Sequence, residues 1–506
     1  MLQYAAVIGR EAPRDILEAL TGLSSPELDD ALDRLRRSEL LRELALDPGV
    51  HAFSHPLVQE TCYGVLLRER RRGIHGDVAR IMKQHFTDRK EERASLLAYH
   101  LEEAGQPMEA AQAHIRAALW IGTHDSSQAL RSWRKVHQLL EGQPLSESIG
   151  YLRLTCCIQV LTFGWREGIS AEEARRWFEE ARQLALVSGN ARAHAWIHAA
   201  YGRNLAVSGS ADDYVARTRE ALALTSGQDR SGDAMLTAVL SQATRLSGRL
   251  DEALQAIIDA TDRVDAISEF DRQLFNFDVA RWLTAMRGQV LVQLGRFDEA
   301  RPWLDRMLQT EADSNDITLH LVNVAFVDMA WALEDKALAD LHAARAMAMA
   351  TETGSPYILV NALACLGLAH LVGGRFAQAV ESLDKALSVA RVRKAGLESE
   401  ARILADLANA HRLNNELEAA LLVAAEAIEV ATARTARVAE CLARLVRTDV
   451  QRQAGRVELA LSDLARARSL MRETGAKLYA PLMDEVAARF DEGPTSARDA
   501  VNGQGR

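Results

Sequence analysis

Polar, arginine and aromatic side chains recur at fixed positions along the second half of this 506-residue chain. Arginine and large aromatic residues supply much of the binding energy at protein interfaces, and amides add directional hydrogen bonds. The sequence therefore predicts a surface that binds a protein or a peptide. The predicted binding residues are Gln242, Arg245, Trp282, Gln289, Asp328, Trp331, Asn361, Arg402, Asn409, Arg412, Asp449 and Arg452. The alternative is that these side chains are only hydrated.

A short recurring motif defines these positions. Six related segments begin at Gly248, Gly295, Glu334, Gly374, Asn415 and Gly455, in steps of 47, 39, 40, 41 and 40 residues. Self-similarity at this spacing is typical of solenoids built from helix pairs. Weaker copies begin at Gly105, Gly168 and Gly209. Six residues before each regular start, five of the six side chains are polar, whereas nine before they are mostly apolar. One stripe of each first helix should therefore pack while its neighbour stays polar and lines the concave face.

Small residues follow each start. Alanine stands five positions later in all six segments and twelve positions later in five, with Met307 in the sixth. Residues seven apart lie two helical turns apart on one face, so these methyl groups should meet the partner helix. The starting residue should end the first helix in the left-handed conformation, which glycine adopts at little cost. Glu334 suits that position poorly, so its turn should differ or be looser.

These segments resemble tetratricopeptide repeats. The shared features are the starting glycine, the two alanine positions and the large apolar residue between them. The period near 40 exceeds the usual 34 and matches the longer-helix variety of bacterial regulatory proteins. The resemblance covers Glu91–Arg489. It implies an almost entirely all-α fold, an α-solenoid of tetratricopeptide-like helix pairs.

The first residues do not repeat and predict a different module. "SPELDDALDRLRRSELL" is amphipathic, with Leu28, Leu32 and Leu35 on one stripe, and Ser25 and Pro26 suit its N-cap and first position. "DPG" at 47–49 predicts a turn between strands at 42–46 and 50–54. We expect a winged helix over 1–75, a helical connector with degenerate repeats over 76–145, the repeat superhelix over 146–490 and a disordered tail over 491–506.

The N-terminal region also resembles a known family. "VIGRE" at 7–11, "FSHPL" at 53–57 and "RRGIH" at 71–75 are similar to the region that follows the ATPase module in bacterial signal-transduction ATPases with numerous domains. The resemblance covers about 4–100 and implies an ATPase upstream, coupled to an adenylate/guanylate cyclase or to a DNA-binding domain. The chain has no G-x-x-x-x-G-K-[ST] loop, so no nucleotide-binding residue is carried over.

Nucleic-acid binding is not expected. The net charge is −10, whereas nucleic-acid binders usually present a basic face. The helix that would enter the major groove carries Glu27, Asp29, Asp30 and Asp33, which phosphates would repel. The basic run "RERRRGIH" at 68–75 leaves contact with a DNA backbone open as an alternative to a hydrated helix end.

Nothing in the residue spacing predicts catalysis. His51, His55, His75, His85 and His100 have no H-E-x-x-H or comparable metal spacing, and no acid pair is placed for acid–base work. The five cysteines form no C-x-x-C; the adjacent Cys156 and Cys157 are either a redox pair or small apolar filler. We expect no metal, no cofactor, no enzymatic activity, no membrane span and a reducing cytoplasm.

Three functions remain from the sequence alone. The first is a non-enzymatic regulatory arm whose repeats bind a protein or ligand and signal through the winged helix to an ATPase or cyclase module upstream. The second is part of a DNA-binding transcriptional activator of the same superfamily. The third is part of an ATP-dependent adenylate/guanylate cyclase with its catalytic modules upstream.

Overall fold

The computed structural model of the chain describes residues 1–44, 48–85, 93–122, 125–225, 227–269, 271–272, 278–309 and 318–491. Helices dominate these residues, and the fold is an all-α solenoid of tetratricopeptide-like helix pairs behind a small mixed N-terminal part. The chain divides into a first compact unit, residues 1–122 with 127–156, and a second unit that holds the residues from 157 onward. From residue 492, the tail that we expect to be disordered lies outside the described residues.

The first unit begins with helices around a small sheet. Its helices are α1 (Leu2–Ile8), α2 (Arg14–Thr21), α3 (Ser25–Arg37), α4 (Pro56–Gly64), α5 (Arg68–His85), α6 (Ala94–Glu103), α7 (Pro107–Ile121) and α8 (Ser126–Glu141). Its strands are β1 (Glu11–Pro13), β2 (Leu41–Glu43) and β3 (Val50–Phe53). β3 lies between β1 and β2 and is antiparallel to both. The apolar stripe of α3 faces this core, where Leu28 and Leu32 are buried.

The structure corrects two local predictions in this unit. α3 is capped one residue earlier than predicted: the Ser24 amide donates to the Glu27 carboxylate at 3.0 Å, and Ser25 is already helical. Among the described residues the hairpin strands are shorter than predicted, and part of the first predicted strand, 45–47, lies outside those residues. β1 was not predicted, because a strand of only three residues is too short to show alternation.

The second unit is a series of antiparallel helix pairs, each with a first helix A and a second helix B. The A helices are α9 (Glu147–Glu167), α11 (Ala191–Ser208), α13 (Arg230–Leu246), α15 (Val279–Gln293), α17 (Leu319–Leu333), α19 (Pro356–Val372), α21 (Glu400–Leu413) and α23 (Arg437–Gln453). Of α9, residues 147–156 belong to the first unit and residues 157–167 to the second. The B helices are α10 (Ala171–Ser188), α12 (Ala211–Thr225), α14 (Leu250–Thr261), α16 (Phe297–Gln309), α18 (Lys336–Thr353), α20 (Phe376–Arg393), α22 (Leu417–Ala433) and α24 (Val457–Thr474). A last helix, α25 (Ala480–Asp491), follows them.

The start of each motif lies in the turn between helix A and helix B, as predicted. All six starting residues have positive φ, from 54° to 81°. The Glu334 turn shares the left-handed conformation, at φ 54°, but it is looser, as predicted: the Glu334 amide lies 3.5 Å from the Trp331 carbonyl, against 2.9–3.2 Å for the equivalent bond at the other five starts. The Asp335 side chain then accepts from the Leu338 amide at 3.0 Å and caps α18, which offsets part of the cost of that conformation.

The alanine face packs as predicted. All six alanines five residues after the start are 0% exposed, and those twelve after it are at most 3% exposed. Between these two alanine positions, a large apolar residue of helix B packs against a small residue of helix A. A Cβ on Gly367 would lie 2.5 Å from Leu383 Cγ, and a Cβ on Gly288 would lie 2.4 Å from Leu304 Cδ2. The helices of a pair therefore approach so closely that these positions exclude a methyl group.

Contacts between distant repeats close the second unit on itself. The Ala211 amide donates to the Arg434 carbonyl at 2.9 Å, and the Arg437 guanidinium pairs with Asp212 at 2.6 Å, across 225 residues of sequence. The polar stripe of the A helices is consequently enclosed by other repeats. Separately, no helix among the described residues is long and apolar enough to span a membrane.

Candidate functional site

A hollow opens on the inner face of the repeats between successive A helices. Its cavity has a volume of about 170 Å³ and opens to solvent at a mouth. Helices α9, α11, α13, α15, α17 and α19 supply nearly all of the lining, and α12 adds Tyr214. The lining residues are Thr162, Phe163, Trp165, Arg166, Trp196, Ala199, Ala200, Arg203, Tyr214, Met235, Ala238, Val239, Gln242, Val279, Trp282, Thr318, His320, Leu321 and Tyr357.

The repeat register explains why these side chains converge. Trp165 lies three residues before the start at Gly168, and Arg203 and Trp196 lie six and thirteen before the start at Gly209. The predicted binding residues of the regular repeats have the same offsets: Arg245 and Gln242 lie three and six residues before Gly248, and Trp282 lies thirteen before Gly295. Equal offsets in stacked repeats project side chains from one face, so the register itself gathers them on the inner wall.

Arg203 is the most enclosed charged group of the hollow. Its side chain is 6% exposed and donates to the Glu398 carboxylate at 2.5 Å, and its guanidinium carbon lies 3.8 Å from the centre of the Trp165 ring. Its Nε and Nη1 are buried and have no hydrogen-bond partner among the described residues. Arg203 therefore has two buried N–H donors without an acceptor at the wall of the hollow, and Oε2 of its partner Glu398 is also unpartnered among the described residues.

A second arginine, Arg166, lies in this wall, and a third, Arg245, lies beside it. Arg166 lines the hollow, and Arg245 stands one helical turn after Gln242, which also lines it. The Nε of each is buried and unpartnered among the described residues. Burial lowers the pKa of Arg166 and of Arg245, but a guanidinium starts so high that both remain charged.

Aromatic rings form the rest of the wall. Trp165 and His320 both pack edge-on against Tyr357, with ring centres 5.2 Å and 5.3 Å away. Burial raises the pKa of Tyr357 to about 12, and it does the same for Tyr214. Both phenols therefore keep their protons at neutral pH. The hollow can offer aromatic faces and edges beside fixed positive charge.

Some of the predicted binding residues belong to this hollow. Gln242 and Trp282 line it, and Arg245 is close enough to Arg203 and Tyr357 for their charges to shift its pKa. Asn361 lies in α19 and donates to the Tyr357 carbonyl at 3.0 Å. Gln289 is 5% exposed, and its Oε1 has no partner among the described residues.

The other predicted residues form a separate network in the C-terminal repeats. Arg402 donates to Asp328 at 3.0 Å and to Asp406 at 2.8 Å. Arg412 donates to Asp449 at 2.9 Å and to Asn409 at 2.8 Å. Buried groups paired in this way stabilise the array and offer few free donors or acceptors to a partner.

Two more predicted residues lie at the edge of this network. Arg452 reaches Asp449 at 3.4 Å, and the Trp331 ring packs edge-on against Tyr479 with centres 5.7 Å apart. The binding role of all twelve residues stays a prediction. The structure brings them together as two clusters on the inner face rather than as one continuous stripe.

Sequence reasoning missed most of the hollow. Trp165, Trp196 and Arg203 lie in the degenerate repeats, to which the register was not extended. Counting back from Gly168 and Gly209 by the same offsets would have found all three. Arg166 and Tyr357 lie at offsets that the regular repeats do not mark, so no sequence signal identified them.

The candidate groups of the first unit are used internally. His75 and His100 face each other with their Nδ1 atoms 2.9 Å apart, and burial lowers their pKa to about 4 and about 3. In the basic run, Arg70 donates to the Tyr4 hydroxyl at 3.0 Å and Arg72 to the Ala104 carbonyl at 2.8 Å. These arginines hold helices of the unit together.

Comparison with known proteins gives distant similarities. No family model matches the chain. An uncharacterized protein of Rhizobium meliloti (strain 1021) is 29% identical over 188 residues, which are 36% of this chain and 18% of that protein. The chain thus matches less than a fifth of the length of this curated relative.

Two solved structures are similar in their helical repeats. A signal-transduction ATPase with numerous domains and a tetratricopeptide repeat sensor, from Pyrococcus horikoshii, gives a TM-score of 0.43 at 12% identity, covering 97% of this chain and 65% of that one. A Rap protein complexed with competence and sporulation factor gives 0.39 at 11% identity, covering 77% and 99%. At these low scores no property of either protein is carried over.

Proposed function

We propose that the chain is a non-enzymatic regulatory arm of a multidomain signalling ATPase, working in the cytoplasm and binding a protein or ligand on the inner face of its repeats. The observation that supports this is the hollow, where Arg203 keeps buried, unpartnered donors beside several aromatic rings. Buried donors without acceptors cost stability, and an acceptor on a bound ligand would remove that cost.

The N-terminal residues serve this arm as a winged-helix adaptor. Their order is helix, strand, two helices and a hairpin whose strands join β1 in one antiparallel sheet. Asp29, Asp30 and Asp33 on α3 each pair with an arginine on the surface of the unit. This acidic helix suits contact with another protein module better than contact with phosphates.

Two alternatives retain the same architecture. In one, the chain is part of a DNA-binding transcriptional activator of the same superfamily. In the other, it is part of an ATP-dependent adenylate/guanylate cyclase with its catalytic modules upstream. The exposed Arg68 and its neighbours in the basic run favour the DNA-binding activator only through contacts with the DNA backbone, which carry no sequence specificity.

The DNA upstream of the codon for Met1 tests the proposed parent. An open frame that encodes a phosphate-binding loop preceded by a cyclase domain supports a cyclase-linked arm, and a loop with a DNA-binding domain supports the activator. A frame with neither module contradicts the proposal. Calorimetry with ATP tests the non-enzymatic part: micromolar ATP binding by this chain would contradict it.

A further inference from the structure

We infer that the hollow binds a small organic anion, with its carboxylate or phosphate on the arginines and its flat apolar body among the aromatic rings. This inference rests on the proposed function, because it names the ligand of the same inner face. Three independent observations lead to it: the balance of charge, the free donors and the shape and chemistry of the wall.

The hollow carries more positive than negative charge. Arg203 has a carboxylate partner in Glu398, but among the described residues neither Arg166 nor Arg245 forms an ion pair. The other carboxylates whose charges act on these two are engaged elsewhere. Glu167 accepts from the Ser126 hydroxyl at 2.5 Å, and Asp328 accepts from Arg402 at 3.0 Å. A partly buried guanidinium without a paired carboxylate is a site for an anion.

The free donors match an anion in number and kind. From the wall, Arg203 offers Nε and Nη1 and Arg166 offers Nε, all buried and without acceptors among the described residues. Arg245, one turn beyond the lining residue Gln242, has a further buried Nε without an acceptor among those residues. Guanidinium N–H groups bind carboxylate and phosphate oxygens through paired, charge-assisted hydrogen bonds. Neutral ligands would leave the charges uncompensated, and cations would be repelled.

The remaining wall selects a flat apolar body. Phe163, Trp196 and Met235 are at most 7% exposed, and they face the hollow together with Trp165, Trp282 and Tyr357. Ligand sites of this kind are mostly apolar walls with a few polar groups that fix orientation. An aromatic ligand gains binding free energy from offset or edge-on contact with these rings, in addition to the free energy that it gains by burying apolar area.

A free small molecule fits this enclosure better than a segment of a partner protein. The lining side chains of Met235, Val279 and Thr318 are at most 4% exposed. The salt bridge between Arg203 and Glu398 also crosses the inside of the unit, linking α11 to the turn before α21. A partner segment would have to pass these contacts, whereas a compact anion needs only the mouth of the hollow.

Binding of 2-naphthoate tests the inference on the full chain, with 2-naphthalenemethanol as the neutral probe of the same shape. Quenching of tryptophan fluorescence should saturate with naphthoate, and the alcohol should bind about tenfold more weakly or worse. Arg203→Gln should weaken naphthoate by about tenfold or more and leave the alcohol unchanged. Arg176→Gln, on the exposed face of α10, is the matched control and should change neither.

Arg166→Gln keeps the test decisive if Arg203→Gln unfolds, because Arg166 has no ion pair with any described residue to lose. Equal binding of both probes, or naphthoate binding that survives both arginine substitutions, would overturn the inference. Saturable binding of a short peptide ending in tryptophan, with no binding of free naphthoate, would also overturn it but would leave the proposed regulatory arm intact. An upstream frame without an ATPase module would instead remove the arm and leave a measured anion site standing.

Discussion

A Cβ built on Gly295 would lie 2.9 Å from the Cβ of Lys477, although Gly295 begins one of the early regular motifs and Lys477 follows the last helix pair. Gly295 therefore meets two demands: its φ is +71°, and another part of the solenoid approaches its backbone. Gly374 occupies the same position of its own repeat with the same φ, but nothing lies within 4 Å of its Cβ position. Comparing Gly295 with Gly374 therefore separates the free-energy cost of the left-handed conformation from the cost of the contact with Lys477.

We predict that Gly295→Ala destabilises the repeats more than Gly374→Ala. Each substitution places a methyl group on a left-handed residue, which costs roughly 1–2 kcal/mol. Gly295→Ala adds a clash with the Lys477 backbone and should cost about 1–3 kcal/mol more, as overpacking does. Thermal melts of the two variants measure the difference. Equal melting temperatures would mean that this closure of the solenoid does not exist in solution.

The alanine face gives a second prediction. Ala379 is 0% exposed where α20 packs on α19, so Ala379→Leu forces three extra heavy atoms into a close helix contact. The cost should be roughly 1–3 kcal/mol, and because repeats touch mainly their neighbours the damage should spread from that repeat to the nearer end. Hydrogen exchange along the chain would map this fraying.

The neighbouring residue is the control for that prediction. Gln378 is exposed on the same turn of α20, so Gln378→Leu should change stability by no more than about 0.5 kcal/mol. If Ala379→Leu and Gln378→Leu show the same hydrogen exchange and the same melting temperature, the alanines do not form the contact between the paired helices.

The sequence predicted the repeats well because one physical requirement recurs. Each motif must end a helix, turn and place a methyl group against its partner, and those requirements fix Gly374 and Ala379 and their equivalents. The polar stripe was a weaker prediction. Its position on helix A followed from the register, but the pairing of Arg402 with Asp328 depends on how one repeat turns relative to another, which no local pattern specifies.

The hollow shows the same limit. Trp165 and Arg203 follow the common register, yet their repeats are degenerate and their motif is hard to recognise. The carboxylate that pairs with Arg203 belongs to Glu398, nearly 200 residues later. A charge and its partner at such separation cannot be paired from sequence without knowing how the solenoid closes.

Glu334 provides a third prediction, because it is the only regular start occupied by an acid. It holds φ at 54°, and its side chain is exposed. Glu334→Gly should stabilise the repeats by about 0.5–1 kcal/mol, since glycine avoids the left-handed strain although it gains freedom in the unfolded chain. Glu381→Gly, inside α20 at an exposed helical position, should instead destabilise by about 1 kcal/mol. Denaturant midpoints that move in the same direction would contradict the assignment of strain to Glu334.

The last prediction concerns two buried aspartates on the inner face whose pKa values move in opposite directions. Burial raises the pKa of Asp406 from 3.8 to about 6, even though Arg402 opposes the shift. Burial would also raise the pKa of Asp449, but Arg489 and Arg412 lower it below its ordinary value. Both residues are at most 3% exposed, so the same substitution can be compared at both.

A raised folded-state pKa means that the folded protein holds its proton more tightly than the unfolded chain does. The contribution of Asp406 to stability is therefore complete below pH 3.8 and is lost as the pH rises through about 6. Asp406→Asn mimics the protonated form and should stabilise the protein at pH 7.5 by on the order of 1–3 kcal/mol.

Asp449 has a lowered folded-state pKa, so its contribution to stability is present above its unfolded pKa and is lost as the pH falls. Asp449→Asn should therefore destabilise the protein by roughly 3 kcal/mol, because it leaves Arg412 buried without its carboxylate. Denaturation curves measured at pH 4.5, 6 and 7.5 check both. If Asp406→Asn lowers stability at pH 7.5, the ionised carboxylate stabilises the repeats, and the cost of burying it has been misassigned.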